Sequence, residues 1–310
     1  MQAGQCARFA DRATCGTSSE FVAIPDSFIS GGVPDADMVL FVASVPTDPD
    51  TNAWALACQT DKFGRPVAGI INFNLNNVDV SDQTWDRQLR TAVHETMHAL
   101  GFSSNSFNKF IDRRTGKRYS ADVPAQGQDI PGVTQSVTTR GHRVSYFVLP
   151  TAVAEARDHF NCPTLRGLEI EDGGSPSSAG SHLEKRVFYS DVMNPQAHTA
   201  PSYSRMALAV LHDSGWYDAD FSKATVLKWG LRAGCPFAED YCLAAGRVVA
   251  GGDKYFCPGP PSSGPKRRCT MDRYSVGQCG VYSWSKPLPA YYQYFPDTNK
   301  VTVALARACV

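Results

Sequence analysis

His94-Glu95-Thr96-Met97-His98-Ala99-Leu100-Gly101-Phe102 is the stretch on which the reading of this chain turns. Its first five residues have the form His-Glu-x-x-His. On an α-helix, positions i and i+4 lie one above the other, so the two imidazoles can grip one metal ion. Glu95, next to the first imidazole, can reach a water on that metal and act as general base. The chain has seven histidines in 310 residues, and glutamate is about as frequent. Chance therefore yields roughly 0.004 such motifs per chain, and accident explains this one poorly. The competing reading is a surface helix with two satisfied histidines, and the surrounding pattern argues against it.

That pattern is a helix with readable ends. Ser81 or Asp82 is the expected N-cap, and Trp85, Leu89, Val93 and Leu100 recur at roughly helical spacing. Gly101 is the expected C′ residue, able to take positive φ and let the chain leave the helix. Upstream, residues 38–45 (MVLFVASV) and 67–73 (VAGIINF) read as buried strands. The expected arrangement is a helix packed under a sheet, with its metal-binding face toward a cleft.

A catalytic zinc takes three protein ligands and leaves a fourth position for water. Metzincin-type proteases extend the motif to His-Glu-x-x-His-x-x-Gly-x-x-His. This chain follows that pattern through Gly101, but Ser104 stands at the final position. The third ligand must then come from farther along. His142, His159, His182, His198 and His212 are the candidates, with Glu155, Glu169, Glu171 and Glu184 available for a thermolysin-like site. His182 stands out, because it follows a glycine- and serine-rich stretch, residues 173–181 (GGSPSSAGS), able to swing a loop back to the cleft. Shortly after it, Met193 lies inside the turn-forming run Asp191-Val192-Met193-Asn194-Pro195. A Met-turn close behind the third histidine belongs to the metzincins. The rivals have simpler explanations. His159 falls in a helix over 151–160 as a half-buried polar residue, and His212 in the last turn of a helix over 203–213, where it meets the C-terminal dipole. His142 and His198 sit in polar loops with no partner motif.

Together these residues resemble a known family. Residues 94–102 (HETMHALGF), the long insertion, 181–186 (SHLEKR), the Met-turn and 218–234 (DADFSKATVLKWGLRAG) look like leishmanolysin, the surface metalloprotease of trypanosomatid parasites. The resemblance runs from about Cys15 to the C-terminus and takes in 41–46 (FVASVP) and 54–60 (WALACQT). It implies a zinc endopeptidase acting on proteins or peptides, with one Zn²⁺ on His94, His98 and His182, Glu95 as catalytic residue and Met193 as the structural Met-turn residue. It also implies a role at the cell surface that includes adhesion, and the disulfides Cys15–Cys58, Cys162–Cys235, Cys242–Cys309 and Cys257–Cys279, leaving Cys6 and Cys269 over. Family members carry a signal peptide, a pro-segment and more N-terminal sheet, and continue past this chain's end, often to a lipid-anchor signal. Here residues 1–20 (MQAGQCARFADRATCGTSSE) lack the apolar core of a signal peptide. Residues 301–310 (VTVALARACV) are too short to span a bilayer or to serve as an anchor tail. The chain thus reads as a middle piece. The alternative is a truncated, inactive member that serves as a surface adhesion or binding protein. Its mark would be a damaged motif, and every motif position is intact.

Composition agrees with an exported globular enzyme. A hydrophobic content of 43% over 310 residues suffices for a substantial core in two or more lobes. Thirty basic and thirty acidic side chains cancel, which removes the global electrostatic case for nucleic acid or an anionic membrane as partner. Lys266-Arg267-Arg268 lies in a Pro/Gly/Ser-rich stretch and reads as a solvated loop tip. No internal repeat, transmembrane segment or Asn-x-Ser/Thr sequon is present. Ten cysteines, crowded toward the C-terminus and without a C-x-x-C pair, read as disulfide staples formed in an extracellular or cell-surface compartment. The expected fold class is α+β. Residues 1–104 form an incomplete metzincin-like catalytic lobe, 105–240 a central lobe returning His182 and the Met-turn, and 241–310 the start of a Cys-rich, mainly β region. An extended substrate is expected to add to a sheet edge, for which 67–73 is a candidate, the competing reading being a central strand.

Overall fold

The computed structural model describes residues 14–302, except 80, 82–83, 122–124, 126, 174–178, 197–200, 245–246, 253, 257–266, 270–275, 279–280, 284–286, 288 and 294. The chain is a mixture of small sheets and short helices that divides into two compact units. Residues 1–130, 197–199 and 211–218 make the first, and the remainder make the second.

In the first unit, a β1–β2 hairpin (Thr14–Gly16 and Phe21–Ala23) and a short helix α1 (Asp26–Gly31) lead into β3 (Val39–Ala43), β4 (Ala53–Thr60) and β5 (Pro66–Phe73). The sheet order is β3-β5-β4, with β3 parallel and β4 antiparallel to β5. The run 67–73 is therefore the central strand and not the sheet edge that the sequence reading assigned to it. Its burial explains why: every residue of β5 but the last is buried, as an apolar run covered on both faces must be. One face packs Ala68 and Ile70 against Cys15 and Ile24, with Phe28, Phe41, Trp54 and Leu56 around them. The Cys15–Cys58 disulfide ties the hairpin to β4 where the β4–β5 register shifts.

The other face carries the motif helix α2 (Trp85–Ala99), which packs on β4 and β5. Gly69 makes that approach possible. A Cβ there would lie 2.9 Å from Met38 Cε and 3.1 Å from both Ala99 Cβ and the Leu56 carbonyl oxygen. Gly69→Val should lower stability by about 1–3 kcal/mol through overpacking, read as a fall in the urea midpoint. A midpoint equal to the parent's would mean that α2 does not rest on Gly69. The helix begins one turn later than the expected cap. Thr84 is the N-cap without a side-chain cap bond, its hydroxyl donating instead to the Asp79 and Ser81 carbonyls, and Asp82 lies outside the described residues. Trp85 and Leu89 are 67% and 47% exposed, so the buried face of α2 is Glu95, Met97, His98 and Ala99. Beyond α2, α3 (Ser104–Phe107) and the hairpin β6–β7 (Ile111–Asp112 and Lys117–Arg118) complete the unit. The Ile111 amide donates to the Ser214 carbonyl.

The second unit is built on an antiparallel sheet of β8 (Thr134–Thr139), β9 (His142–Phe147) and β10 (Leu168–Glu169), in the order β10-β9-β8. Arg140 and Gly141 form the two-residue β8–β9 turn, both at positive φ, as such hairpins require. His142 is consequently the first residue of a strand, and not a loop residue as its polar neighbours suggest. Helix α4 (Pro150–Phe160) has proline at N1, where no amide is needed, and ends on Asn161 in the left-handed conformation. Helix α5 (Arg205–Asp213), of which residues 205–210 belong to this unit and 211–213 to the first, and α6 (Cys235–Glu239) follow, and the Cys162–Cys235 disulfide joins the end of α4 to the start of α6. Phe160, Phe188, Trp229, Phe237 and Phe256 are fully or nearly fully buried together, Phe237 stacking on Phe256 at 5.0 Å. The hairpins β11–β12 (Leu243–Ala244 and Arg247–Val248), β13–β14 (Arg267–Cys269 and Val276–Gln278) and β15–β16 (Val281–Ser283 and Lys300–Thr302) end the described chain.

His159 is buried more deeply than its sequence position suggests, at 9% exposure, and its Nε2 donates to the Trp229 carbonyl at 2.9 Å. Burial holds its pKa below the ordinary 6.5. The folded chain thus binds fewer protons here than the unfolded chain, so stability is lost as pH falls below about 6.5. Thermal melts from pH 7.5 to 5 should show that decline, with a shallower slope in His159→Gln, which can still donate to Trp229. Identical slopes would remove His159 as its source.

Two of the disulfides implied by the family resemblance, Cys15–Cys58 and Cys162–Cys235, are present. Cys6, Cys257, Cys279 and Cys309 lie outside the described residues, and with them the implied pairs Cys242–Cys309 and Cys257–Cys279. Cys269 is an exposed thiol in β13. Among the described residues no helix is long and apolar enough to cross a membrane.

Candidate metal centre

Helix α2 ends in a geometry that bears directly on His98. The Gly101 amide donates to the His98 carbonyl at 3.0 Å and the Phe102 amide to the Met97 carbonyl at 2.9 Å, the paired bonds of a glycine-terminated helix. Gly101 sits at φ +110°, and a Cβ on it would meet Trp216 Cζ3 at 2.7 Å. The reversal turns the Phe102 carbonyl back toward the helix, where it lies 2.6 Å from His98 Nδ1. A carbonyl can only accept, so Nδ1 carries the proton and Nε2 of the neutral ring presents its lone pair. This is the outer hydrogen bond that metal-ligating histidines commonly make. Phe102 was not singled out from the sequence. Gly101 was the signal that could have found it.

His94 Nε2 lies 3.1 Å from His98 Nε2, with the rings edge to face at 4.7 Å between centroids. Two nitrogens bound tetrahedrally at about 2.0–2.1 Å from one zinc would stand roughly 3.3 Å apart. The pair therefore fits a shared ion within a few tenths of an ångström. Glu95 is buried at 6% exposure, and that burial pushes its carboxyl up to about 8.

In the second unit, His182 is 7% exposed on a segment that extends the sheet beyond β10. Its carbonyl accepts from the Glu171 amide at 2.9 Å, and the Glu184 amide donates to the Glu169 carbonyl at 2.9 Å. The Leu183 amide donates to the Met193 carbonyl at 3.0 Å, so the residue after His182 is bonded to the methionine of the turn. Met193 is fully buried. Its amide donates to Asp191 Oδ1 at 2.7 Å, and the Asn194 amide closes the turn on the Asp191 carbonyl at 3.1 Å. Burial pushes the Asp191 carboxyl up to about 7.

The other candidates are differently engaged. His142 Nε2 is 3.0 Å from Asp172, and its ring stacks on Tyr291 at 4.3 Å. His212 lies in the last turn of α5, and His198 is outside the described residues. Glu155 is paired in bidentate fashion with Arg205, both contacts 2.7 Å. Glu169 binds Arg140 and Arg186, Glu171 accepts from the Gly173 amide at 2.9 Å, and Glu184 from the Arg186 amide at 3.1 Å. Burial, with Glu171 and Glu169 nearby, holds Glu184 well above the usual carboxylate range, while burial pushes Lys185 down to about 8.

The His94 and His98 Nε2 atoms meet on a helix backed by a disulfide-tied sheet, with buried Glu95 following His94 in the chain, a donor pair that could hold a metal ion. The family model for leishmanolysin, a peptidase family, matches residues 8–309. Leishmanolysin of Leishmania donovani is 37% identical over 275 residues, which is 88% of this chain and 42% of that protein. Leishmanolysin-like peptidases of Drosophila melanogaster and Caenorhabditis elegans are each 32% identical, over 87% and 85% of this chain and 44% of each of those proteins. The chain belongs to the leishmanolysin family of metallopeptidases and spans less than half the length of these relatives.

Proposed function

We propose that this chain is a zinc-dependent endopeptidase that hydrolyses peptide bonds in proteins. The observation that carries the reading is the His94–His98 pair, with Nε2 atoms 3.1 Å apart beside buried Glu95 and one tautomer set by the Phe102 carbonyl. In this reading His94, His98 and His182 hold one Zn²⁺, with Met193 as the buried residue of a metzincin-type Met-turn. The bound ion supplies Lewis acidity, acidifying the attacking water, polarising the scissile carbonyl and favouring the ionised form of the neighbouring carboxyl. Glu95 takes one proton from that water as its oxygen bonds to the carbonyl carbon. It then delivers the proton to the amide nitrogen as the C–N bond breaks. His98 keeps its Nε2 lone pair available because Nδ1–H is spent on Phe102. The edge strand β4, on which α2 packs, is the better support for a β-addition by the substrate, since β5 is enclosed by its neighbours.

The family, the two disulfides and the cysteine content support an extracellular or cell-surface setting, with adhesion as an accompanying role. The same reading keeps three parts, a catalytic lobe through 104, a central lobe through 240 and a Cys-rich C-terminal region, with short two-stranded hairpins in the last. The test is cleavage of a quenched peptide library by the purified 310-residue chain. Chelator-sensitive turnover restored by zinc is the expected result. Zinc retention without turnover on any peptide or folded protein would replace this reading with that of a binding protein.

A further inference from the structure

The second unit contains a buried ion network that the proposed chemistry leaves unused. Glu169, at 5% exposure, ends β10 and receives two guanidinium groups. Arg140 Nη2 binds Oε1, and Arg186 Nη2 binds Oε2 at 2.9 Å. Arg186 also donates to the carbonyls of Phe237 at 3.0 Å, Ala238 at 2.7 Å and Asp240 at 3.3 Å, and Arg140 to that of Glu239 at 2.9 Å. The two arginines thereby satisfy the carbonyl end of α6, which would otherwise be orphaned, and Glu169 balances part of their charge. Arg140 holds a left-handed backbone, φ +49°, that a non-glycine residue keeps only when its surroundings over-determine it.

The network closes on His182. The Glu169 carbonyl accepts the Glu184 amide while its carboxylate holds Arg186, so residues 184–186 are gripped at both ends by one residue. The Glu171 amide on the His182 carbonyl and the Leu183 amide on the Met193 carbonyl complete the hold. The segment cannot slide or rotate without breaking a buried ion pair or a ladder bond.

We propose that Glu169, acting with Arg140 and Arg186, is a positioning residue for the third zinc ligand, fixing the backbone from which His182 presents its imidazole before any metal arrives. The proposal rests on the zinc assignment made above. Positioning of this kind makes the metal-free protein already ordered around His182, so zinc binds without having to order that segment. Disturbing it should weaken the metal as loss of an outer-shell partner does, about 10–100-fold.

The test uses the full chain and zinc alone, with four variants: Glu169→Gln, Arg186→Lys, His182→Ala and a core control, Ile24→Ala. The zinc dissociation constant is measured by chelator competition, the visible spectrum after Co²⁺ substitution, and the urea midpoint without metal. Glu169→Gln and Arg186→Lys should weaken zinc about 10–100-fold and change the Co²⁺ bands. Ile24→Ala, which opens a cavity in the cluster around Cys15, Ala68 and Ile70 and takes part in none of the bonds of the grip, should leave both within twofold. Parental affinity and spectrum in both network variants, with zinc lost in His182→Ala, would overturn the proposal and leave the zinc assignment standing. Parental affinity in His182→Ala would overturn the assignment itself. A reading on the unmutated chain covers the case in which the variants do not fold. The Glu171 and Glu184 amides should exchange with deuterium as slowly without zinc as with it, within about tenfold. Rapid exchange in the metal-free protein would mean that zinc, and not the network, orders His182.

Discussion

Glu95→Ala should lose turnover by about 10²–10⁴-fold, the usual worth of a positioned general base, while binding one zinc as the parent does. The direction follows from geometry. Glu95 follows His94 on α2 and is buried, yet the Nε2 atoms that meet at 3.1 Å belong to His94 and His98 alone. In the proposed mechanism, removing the carboxylate takes away the acceptor for the water proton and the donor to the departing amine, without taking away a metal ligand. Glu95→Gln, which keeps the volume, should be equally inactive and closer to parental stability. The measurements are zinc content after gel filtration and the initial rate on the best substrate from the library. Zinc lost together with activity in both variants would recast Glu95 as a ligand or a structural residue.

His182→Ala should behave in the opposite way, losing the metal first and activity as a consequence. With one of the three proposed ligands gone, affinity should fall by at least the 10–100-fold that outer-shell changes produce. Excess zinc should restore little turnover, because an ion held by two imidazoles is neither fixed nor oriented. Fold should survive, since the His182 carbonyl and the Leu183 amide keep their bonds whatever side chain stands at 182. Equal zinc retention in His182→Ala and the parent would send the search for the third ligand to the other histidines. Read side by side, the two variants separate chemistry from coordination.

Much of the centre was legible in the sequence because it is local. A helix repeat makes i and i+4 neighbours wherever it forms, and Gly101 announces the helix end by its freedom to take φ +110°. The disulfides Cys15–Cys58 and Cys162–Cys235 were legible through family resemblance, not through spacing. The reading of 67–73 as a sheet edge failed for a physical reason: an uninterrupted apolar run fits a strand buried on both faces, and only the partners β3 and β4 say where in the sheet it lies. His142 looked like a loop residue because its neighbours are polar. A two-residue turn at Arg140-Gly141 makes it a strand residue, and Asp172 gives it a partner. Trp85 and Leu89 kept helical spacing without being buried, since amphipathic periodicity marks a face and not what covers it.

The sequence alone thus determined the motif, the helix that bears it and the family, because these depend on residue type and on separations of a few positions. Tertiary structure decided the strand order, the Phe102 carbonyl that sets the His98 tautomer, and the Arg140–Glu169–Arg186 network beneath His182. The Arg140 contacts span separations of 29 and 99 residues, and the bond from Arg186 to Glu169 spans 17. No periodicity connects such positions. Only the folded chain, by burying three charges that must then find one another, brings them together.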